Sequence, residues 1–234
     1  MPRFYVANIV GVTCTLPPEE SRHCIKVLRM KAGDTLELTD GQGNLFKAAI
    51  EEASANNCRL ALLESHKEPP PGWELHIAVA PTKNIARIEW LVEKLTETGL
   101  SAFIPFTADH SERRIIKTDR LKKICIEAMK QSGRLYQPAV NELISFREVL
   151  DSYKDFNGQK FILHCNGAEL ATLHKSYIKG RNVLVLIGPE GDFSAAEVTK
   201  AVSQGFIPAT LGAVRYRTET AALLAACTLH VLNQ

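Results

Sequence analysis

The stretch NVLVLIGPEGDFSAAEVTKAVSQGFIPATLGAVRYRTETA, Asn182 to Ala221, decides the fold. Val183-Leu184-Val185-Leu186-Ile187 is an unbroken apolar run bounded by turn residues, the pattern of a parallel strand buried on both faces. Gly188-Pro189-Glu190-Gly191 ends it, and Ser194 with Glu197 three residues on forms a capping box, predicting a helix to about Gln204. A second strand is predicted over Phe206–Leu211. After it come the loop Gly212 to Thr220 and an apolar helix over Ala221–Leu232. Two strand ends in close succession, each followed by a loop of glycine, charged and hydroxyl residues, place a ligand pocket at the carboxyl edge of the sheet.

Upstream of this stretch, strands and helices alternate. Strands are predicted over Leu75–Ala80, Ala102–Phe106 and Phe161–Cys165, the last followed by the loop Asn166-Gly167. Helices are predicted over Asn84–Thr98, stopped by Gly99, and over Asp119–Ser132, stopped by Gly133. Pro105 interrupts a short strand, and 145–156 reads as a weak helix. Such alternation argues for an α/β fold with a mostly parallel sheet and helices on both sides.

Glu68-Pro69-Pro70-Pro71-Gly72 can continue neither helix nor strand ladder, and separates a domain at 1–67 from one at 73–234. The first reads as a small β-barrel. Strands are expected at Phe4–Val6, Thr35–Thr39, Leu45–Ile50 and Arg59–Leu63, with a helical turn or two over Pro18–Leu28.

The 234 residues carry a net charge of +2, so any attraction to nucleic acid must be local. The richest basic segment is His110 to Lys123, where Arg113, Arg114 and Lys117 stand out; Arg134 extends it. A second basic edge comes from Arg3, Arg22, His23, Lys26, Arg29 and Lys31. Six cysteines without metal-ligand spacing read as reduced, mostly buried thiols of a cytosolic protein. The histidines do not cluster as metal ligands, and His164 and His230 read as core or edge residues. No run is apolar and long enough for a membrane span, and the N-terminus lacks a signal-peptide pattern.

Several chemistries are disfavoured. Ser194 lies outside a nucleophile elbow, no phosphate-cradling glycine-lysine motif exists, and no dinucleotide fingerprint follows the first α/β strand. The physical reading stops at a pocket of backbone amides and small residues, suited to a flat, polar, adenosine-like ligand.

Ile187-Gly188-Pro189-Glu190-Gly191 with Phe193-Ser194, then Leu211-Gly212 and Arg217-Thr218-Glu219-Thr220-Ala221, resemble the RsmE family of rRNA methyltransferases in the SPOUT superfamily. The likeness spans nearly the whole chain, through Arg3-Phe4, His23, Val27-Leu28-Arg29 and Gly33, then Lys83, Lys94, Glu97, Gly99 and Pro105, then Ala128, Gln131, Ser132 and Arg134. Two departures stand out: Asp192 where glycine is expected, and Val214-Arg215-Tyr216 in place of roughly Arg-Ile-Leu.

The resemblance implies a C-terminal SPOUT trefoil-knot domain preceded by a PUA-like RNA-binding barrel. It implies methylation of uridine N3 in 16S rRNA of the small ribosomal subunit, with S-adenosylmethionine as donor and no metal. The cofactor residues it implies are Leu163, Ile187, Gly188, Pro189, Glu190, Gly191, Leu211, Gly212, Tyr216, Arg217 and Thr218. Arg3, His23, Arg29, Arg113, Arg114, Lys117 and Arg134, picked out by local charge, are the candidate RNA contacts. Arg217 is a candidate for stabilising the uracil anion or binding a phosphate; Glu219 or Glu190 could serve as base, or be structural. A cytoplasmic homodimer is expected, with Leu223, Leu224, Cys227 and Leu229 of the last helix as the dimer element. Two alternatives stay open: a non-catalytic RNA-binding assembly factor, and a Rossmann-type nicotinamide enzyme.

Overall fold

A computed structural model of the chain describes residues 1–165 and 170–234, so the loop Asn166-Gly167 lies outside the described residues. Two compact units emerge: Met1–Pro70 with Ile126–Gln137, and Pro71–Cys125 with Pro138–Gln234. Ile126–Gln137, assigned from sequence to the second domain, clusters with the first unit. Lys130 pairs with Glu20 at 2.6 Å, and the Gly43 amide donates to the Leu135 carbonyl.

The first unit contains β1 (Arg3–Tyr5), β2 (Thr13–Thr15), α1 (Pro18–Arg22), β3 (Thr35–Thr39), β4 (Asn44–Glu52) and β5 (Arg59–Lys67). The strand order is β1-β3-β4-β5-β2. α1 runs into a π-helical turn, His23–Val27, and thereby buries Cys24. Alternation in β3 turns Leu36 and Leu38 inward, where they meet Phe4, Leu16, Ile50 and Leu60. Gly43 (φ +91°) is needed twice over, since a Cβ there would strike the Tyr136 ring. Burial pushes the thiol of Cys24 up to about 12, and those of Cys14 and, in the second unit, Cys125 up to about 11. These three stay protonated; Cys165 is the exposed cysteine.

The second unit is built on β6 (Leu75–Val79), α2 (Ile85–Thr98), β7 (Ala102–Thr107), the first half of α3 (Thr118–Ser132), β8 (Ala139–Val140), β9 (Ile144–Ser145) and α4 (Phe146–Ser152). Then follow β10 (Gln159–Leu163), α5 (Leu173–Ser176), β11 (Val183–Ile187), α6 (Ala195–Ser203), β12 (Ile207–Ala209) and α7 (Thr218–Leu232). Its sheet runs β12-β10-β11-β6-β7-β8, with β9 also on β7, and every pairing is parallel. All five residues of β11 are buried because helices cover both faces. α2 and α7 press Leu91, Leu95, Ala222, Ala226 and Leu229 onto one face; Phe146, Leu150 and Ala201 from α4 and α6 cover the other. This is the mostly parallel α/β architecture expected of the knot domain.

Pro105 is accommodated by a gap. β8 pairs with β7 at Ala102 and Phe103 and β9 at Phe106 and Thr107, so neither pairs with the proline, whose register partner is Val79 of β6. The weak helix is the short α4, held by a Ser145–Glu148 capping box. α7 begins at Thr218, three residues before the predicted start. No helix among the described residues is long and apolar enough to cross a membrane.

Candidate functional site

The carboxyl ends of β10, β11 and β12 open into a cleft of about 290 Å³ in the second unit. Leu163, Ile187, Leu211 and Ala221 give it apolar walls. Gly188, Pro189 and Glu190 line it from the loop after β11, and Tyr216, Arg217 and Thr218 from the loop entering α7. Of the residues expected to bind a cofactor, all but Gly191 and Gly212 meet here. Those two glycines shape the loops instead. A Cβ on Gly191 would lie 2.9 Å from that of His110, and Gly212 holds φ +126°.

Two ties set the loop after β11. Thr218 Oγ1 donates to the Gly188 carbonyl at 3.0 Å, bringing the start of α7 onto it. Phe193 then inserts beside Phe106, ring planes 6° apart at 6.1 Å, and against Phe146 at 5.8 Å. A Cβ on Gly188 would meet the Phe193 ring at 3.1 Å, so this glycine makes room for the loop's own anchor.

Asp192, the departure from glycine, keeps the left-handed backbone a glycine would have supplied (φ +62°). Aspartate tolerates that region better than most side chains. Its carboxylate adds what glycine lacks. Oδ2 accepts from the Cys165 amide at 3.0 Å, and Oδ1 accepts from the Phe193 amide at 2.8 Å. The loops after β10 and β11 are thus joined through one side chain. His110, from the segment after β7, donates from Nδ1 to the carbonyls of Asp192 (2.9 Å) and Gly191 (3.1 Å). Those bonds, that to Asp192 foremost, raise the imidazole above its ordinary pKa.

The two expected catalytic residues diverge. Arg217 is exposed at the cleft and is the N-cap of α7. Glu219 is buried and does not line it: Oε1 lies 3.6 Å from Arg87 Nε on α2, and Oε2 has no hydrogen-bond partner. Glu190 does line the cleft, where Oε1 accepts from the Lys83 amide at 3.3 Å. His164 also lines it, a residue the sequence suggests only as core or edge.

The basic segment is less free than its composition suggests. Arg113 donates to the carbonyls of Thr82 (3.0 Å) and Lys83, fastening backbone. Arg120 pairs with Glu89, and Lys122 with Glu142. Arg114 and Lys117 remain exposed. In the first unit, Arg3 is half-committed to Glu37 at 2.8 Å, while its Nη1 is buried without a partner. Arg3 and His23 line a cleft together there. Arg29 is exposed with φ 57°, and Arg134 is half-buried. In α7, Leu229 is fully buried in its own core and so is unavailable to a partner chain, whereas Leu223, Leu224 and Cys227 are partly exposed.

A family model described as an RNA methyltransferase domain matches residues 68–230, and an RNA methyltransferase PUA domain matches residues 16–63. Ribosomal RNA small subunit methyltransferase E of Bacillus subtilis is 30% identical over 227 residues, covering 91% of this chain and 88% of that protein. The crystal structure of a probable rRNA-methyltransferase from Porphyromonas gingivalis superposes with a TM-score of 0.92 at 40% identity, covering 100% of this chain and 98% of that one. A ribosomal RNA small subunit methyltransferase E from Neisseria gonorrhoeae, bound to S-adenosyl methionine, gives a TM-score of 0.85 at 29% identity, covering 100% and 98%.

Proposed function

Because the chain belongs to the RsmE family of small-subunit rRNA methyltransferases, we infer that the β10–β11–β12 cleft holds S-adenosylmethionine for methylation of uridine N3 in 16S rRNA. The observation that carries this reading is the cleft itself. It has apolar walls fit for a flat base, backbone amides at two strand ends, and an arginine at its mouth. Its volume, about 290 Å³, lies near the lower end of the range for small-molecule sites. Neither a nicotinamide cofactor nor a purely structural role is needed to account for it.

When bound, the cofactor supplies an electrophilic methyl group on a sulfonium. The protein's share is placement and charge. Uracil N3 is a poor nucleophile while it carries its proton, so the proton must leave as the N3–carbon bond forms and the sulfur–carbon bond breaks. As the proton passes to a base, negative charge spreads from N3 to the uracil carbonyl oxygens, and the arriving methyl group consumes it. In this reading Arg217, exposed at the cleft mouth, receives that charge with its planar fork. Of the two carboxylates suggested as base, Glu190 faces the cleft and Glu219 is engaged with Arg87.

The RNA is held, in this reading, by Arg3, His23 and Arg29 of the first unit and by Arg114 and Lys117 of the second. The partly exposed stripe Leu223, Leu224 and Cys227 is the face for a second copy of the chain. An rRNA substrate implies a cytoplasmic site of action. The test is calorimetric titration with S-adenosylmethionine, followed by methyl transfer to purified small subunits and mapping of the modified nucleotide. Absence of cofactor binding, with and without RNA, would overturn the reading.

A further inference from the structure

We propose that His164 is a cofactor-positioning residue whose imidazole takes the ribose diol of the nucleoside bound in the cleft. The proposal rests on the reading of this cleft as the S-adenosylmethionine site. His164 follows β10 directly, lines the cleft between Leu163 and Cys165, and is only 8% exposed. Its backbone is held, the amide donating to the Ala209 carbonyl of β12. Its side chain is not: neither Nδ1 nor Nε2 has a hydrogen-bond partner.

A buried polar atom without a partner is costly, and native structures rarely keep one idle. Here two occur on one ring, at the wall of a ligand cleft. A neutral imidazole offers one donor and one acceptor. Its occupant must therefore present both, and must be uncharged, since a charge sunk against a buried wall would be expensive. S-Adenosylmethionine has two such groups, the adenine edge (N6–H with N1 or N7) and the ribose diol. The amino-acid end is charged and suits the exposed rim, where Arg215, Arg217 and Glu190 stand. The adenine ring is flat and suits Leu163, Ile187 and Leu211. With the adenine plane laid against those apolar walls, the two adjacent ribose hydroxyls are the donor and acceptor assigned to His164, and the deoxy analogues tell them from the adenine edge.

The experiment is a cycle between protein and ligand. S-Adenosylhomocysteine and its 2′-deoxy and 3′-deoxy analogues are titrated calorimetrically into the wild type, His164→Gln and His164→Leu. The wild type should bind at least one deoxy analogue roughly tenfold more weakly than S-adenosylhomocysteine. His164→Leu should lose a similar factor toward the full ligand but nothing further toward that analogue. His164→Gln, which retains donor and acceptor, should recover part of the loss. If Leu misfolds, the Gln variant and the wild-type analogue series still decide: equal wild-type affinity for all three ligands overturns the proposal. Equal loss toward all three in the variants also overturns it, since that is what a merely structural histidine gives. A wild type that binds none of them defeats the cofactor reading itself, a separate result.

Discussion

Glu219 turns to Arg87, Oε1 to Nε at 3.6 Å, while Thr218 beside it faces the cleft. Successive helix residues point about 100° apart, so one residue serves the site and the next serves packing between α7 and α2. Arg87→Ala, which strands a buried carboxylate, should cost about 2 kcal/mol in urea unfolding. Glu219→Gln should destabilise less and turn over at near the wild-type rate, with no rescue at high pH. Arg217→Lys should instead slow single-turnover methylation about 100-fold at saturating cofactor, nearly as much as Arg217→Ala, because a point charge does not replace the fork. Normal turnover in both Arg217 variants would remove that residue from the chemistry.

Asp192 makes a different kind of prediction. Asp192→Ala keeps neither the tolerance for φ +62° nor the two accepted amide bonds, and should lose about 2–3 kcal/mol. Asp192→Gly relieves the backbone while still losing both bonds, so it should fall between Ala and wild type. Equilibrium unfolding of the three proteins checks the order. If Gly is the least stable, the left-handed backbone is not what the position demands.

Among the basic residues, Arg114→Gln with Lys117→Gln should weaken RNA binding and reduce the slope of log affinity against log salt by roughly 0.7 for each phosphate no longer neutralised. Arg113→Gln should show up in melting temperature instead, because its guanidinium holds the backbone of Thr82 and Lys83. Filter binding over a salt series separates the two. An unchanged slope in the double variant would make Arg114 and Lys117 ordinary solvated surface.

His110 gives the loop a pH dependence of definite sign. Its pKa is raised in the folded protein, so the added stability is fully present below the ordinary value of 6.5 and fades as pH rises through the raised value. The melting-temperature gap between wild type and His110→Ala should therefore be widest in mild acid and narrow toward pH 8. A gap that widens with pH would contradict the hydrogen bonds to Gly191 and Asp192.

Much of the fold is legible in the sequence because its signals are local. The capping box at Ser194 and the apolar run of β11 need no tertiary information, and both form as predicted. The start of α7 escapes such a reading because Arg217, its N-cap, makes no side-chain cap bond, so no capping residue marks it. That offset hides the direction of Glu219. β12 is shorter than predicted, an edge strand containing Pro208, which has no N–H to give. Arg113 and Arg114 are adjacent and chemically identical, and only the fold tells a fastener from a free charge. Nothing in the spacing around His164 betrays a ring with two unmet nitrogens.

The parallel pairing of β11 with β6 has a consequence for synthesis. Val183–Ile187 must find Leu75–Val79, made more than a hundred residues earlier, and α7 must then close over α2. Until the ribosome has released α7, Leu91 and Leu95 lack their cover and Thr218 is not there to hold the Gly188 loop. Each nascent chain thus carries an open apolar face while elongation continues, the state most exposed to chaperones and to aggregation. Competence to bind a ligand arrives only once α7 has been made and has closed over the sheet.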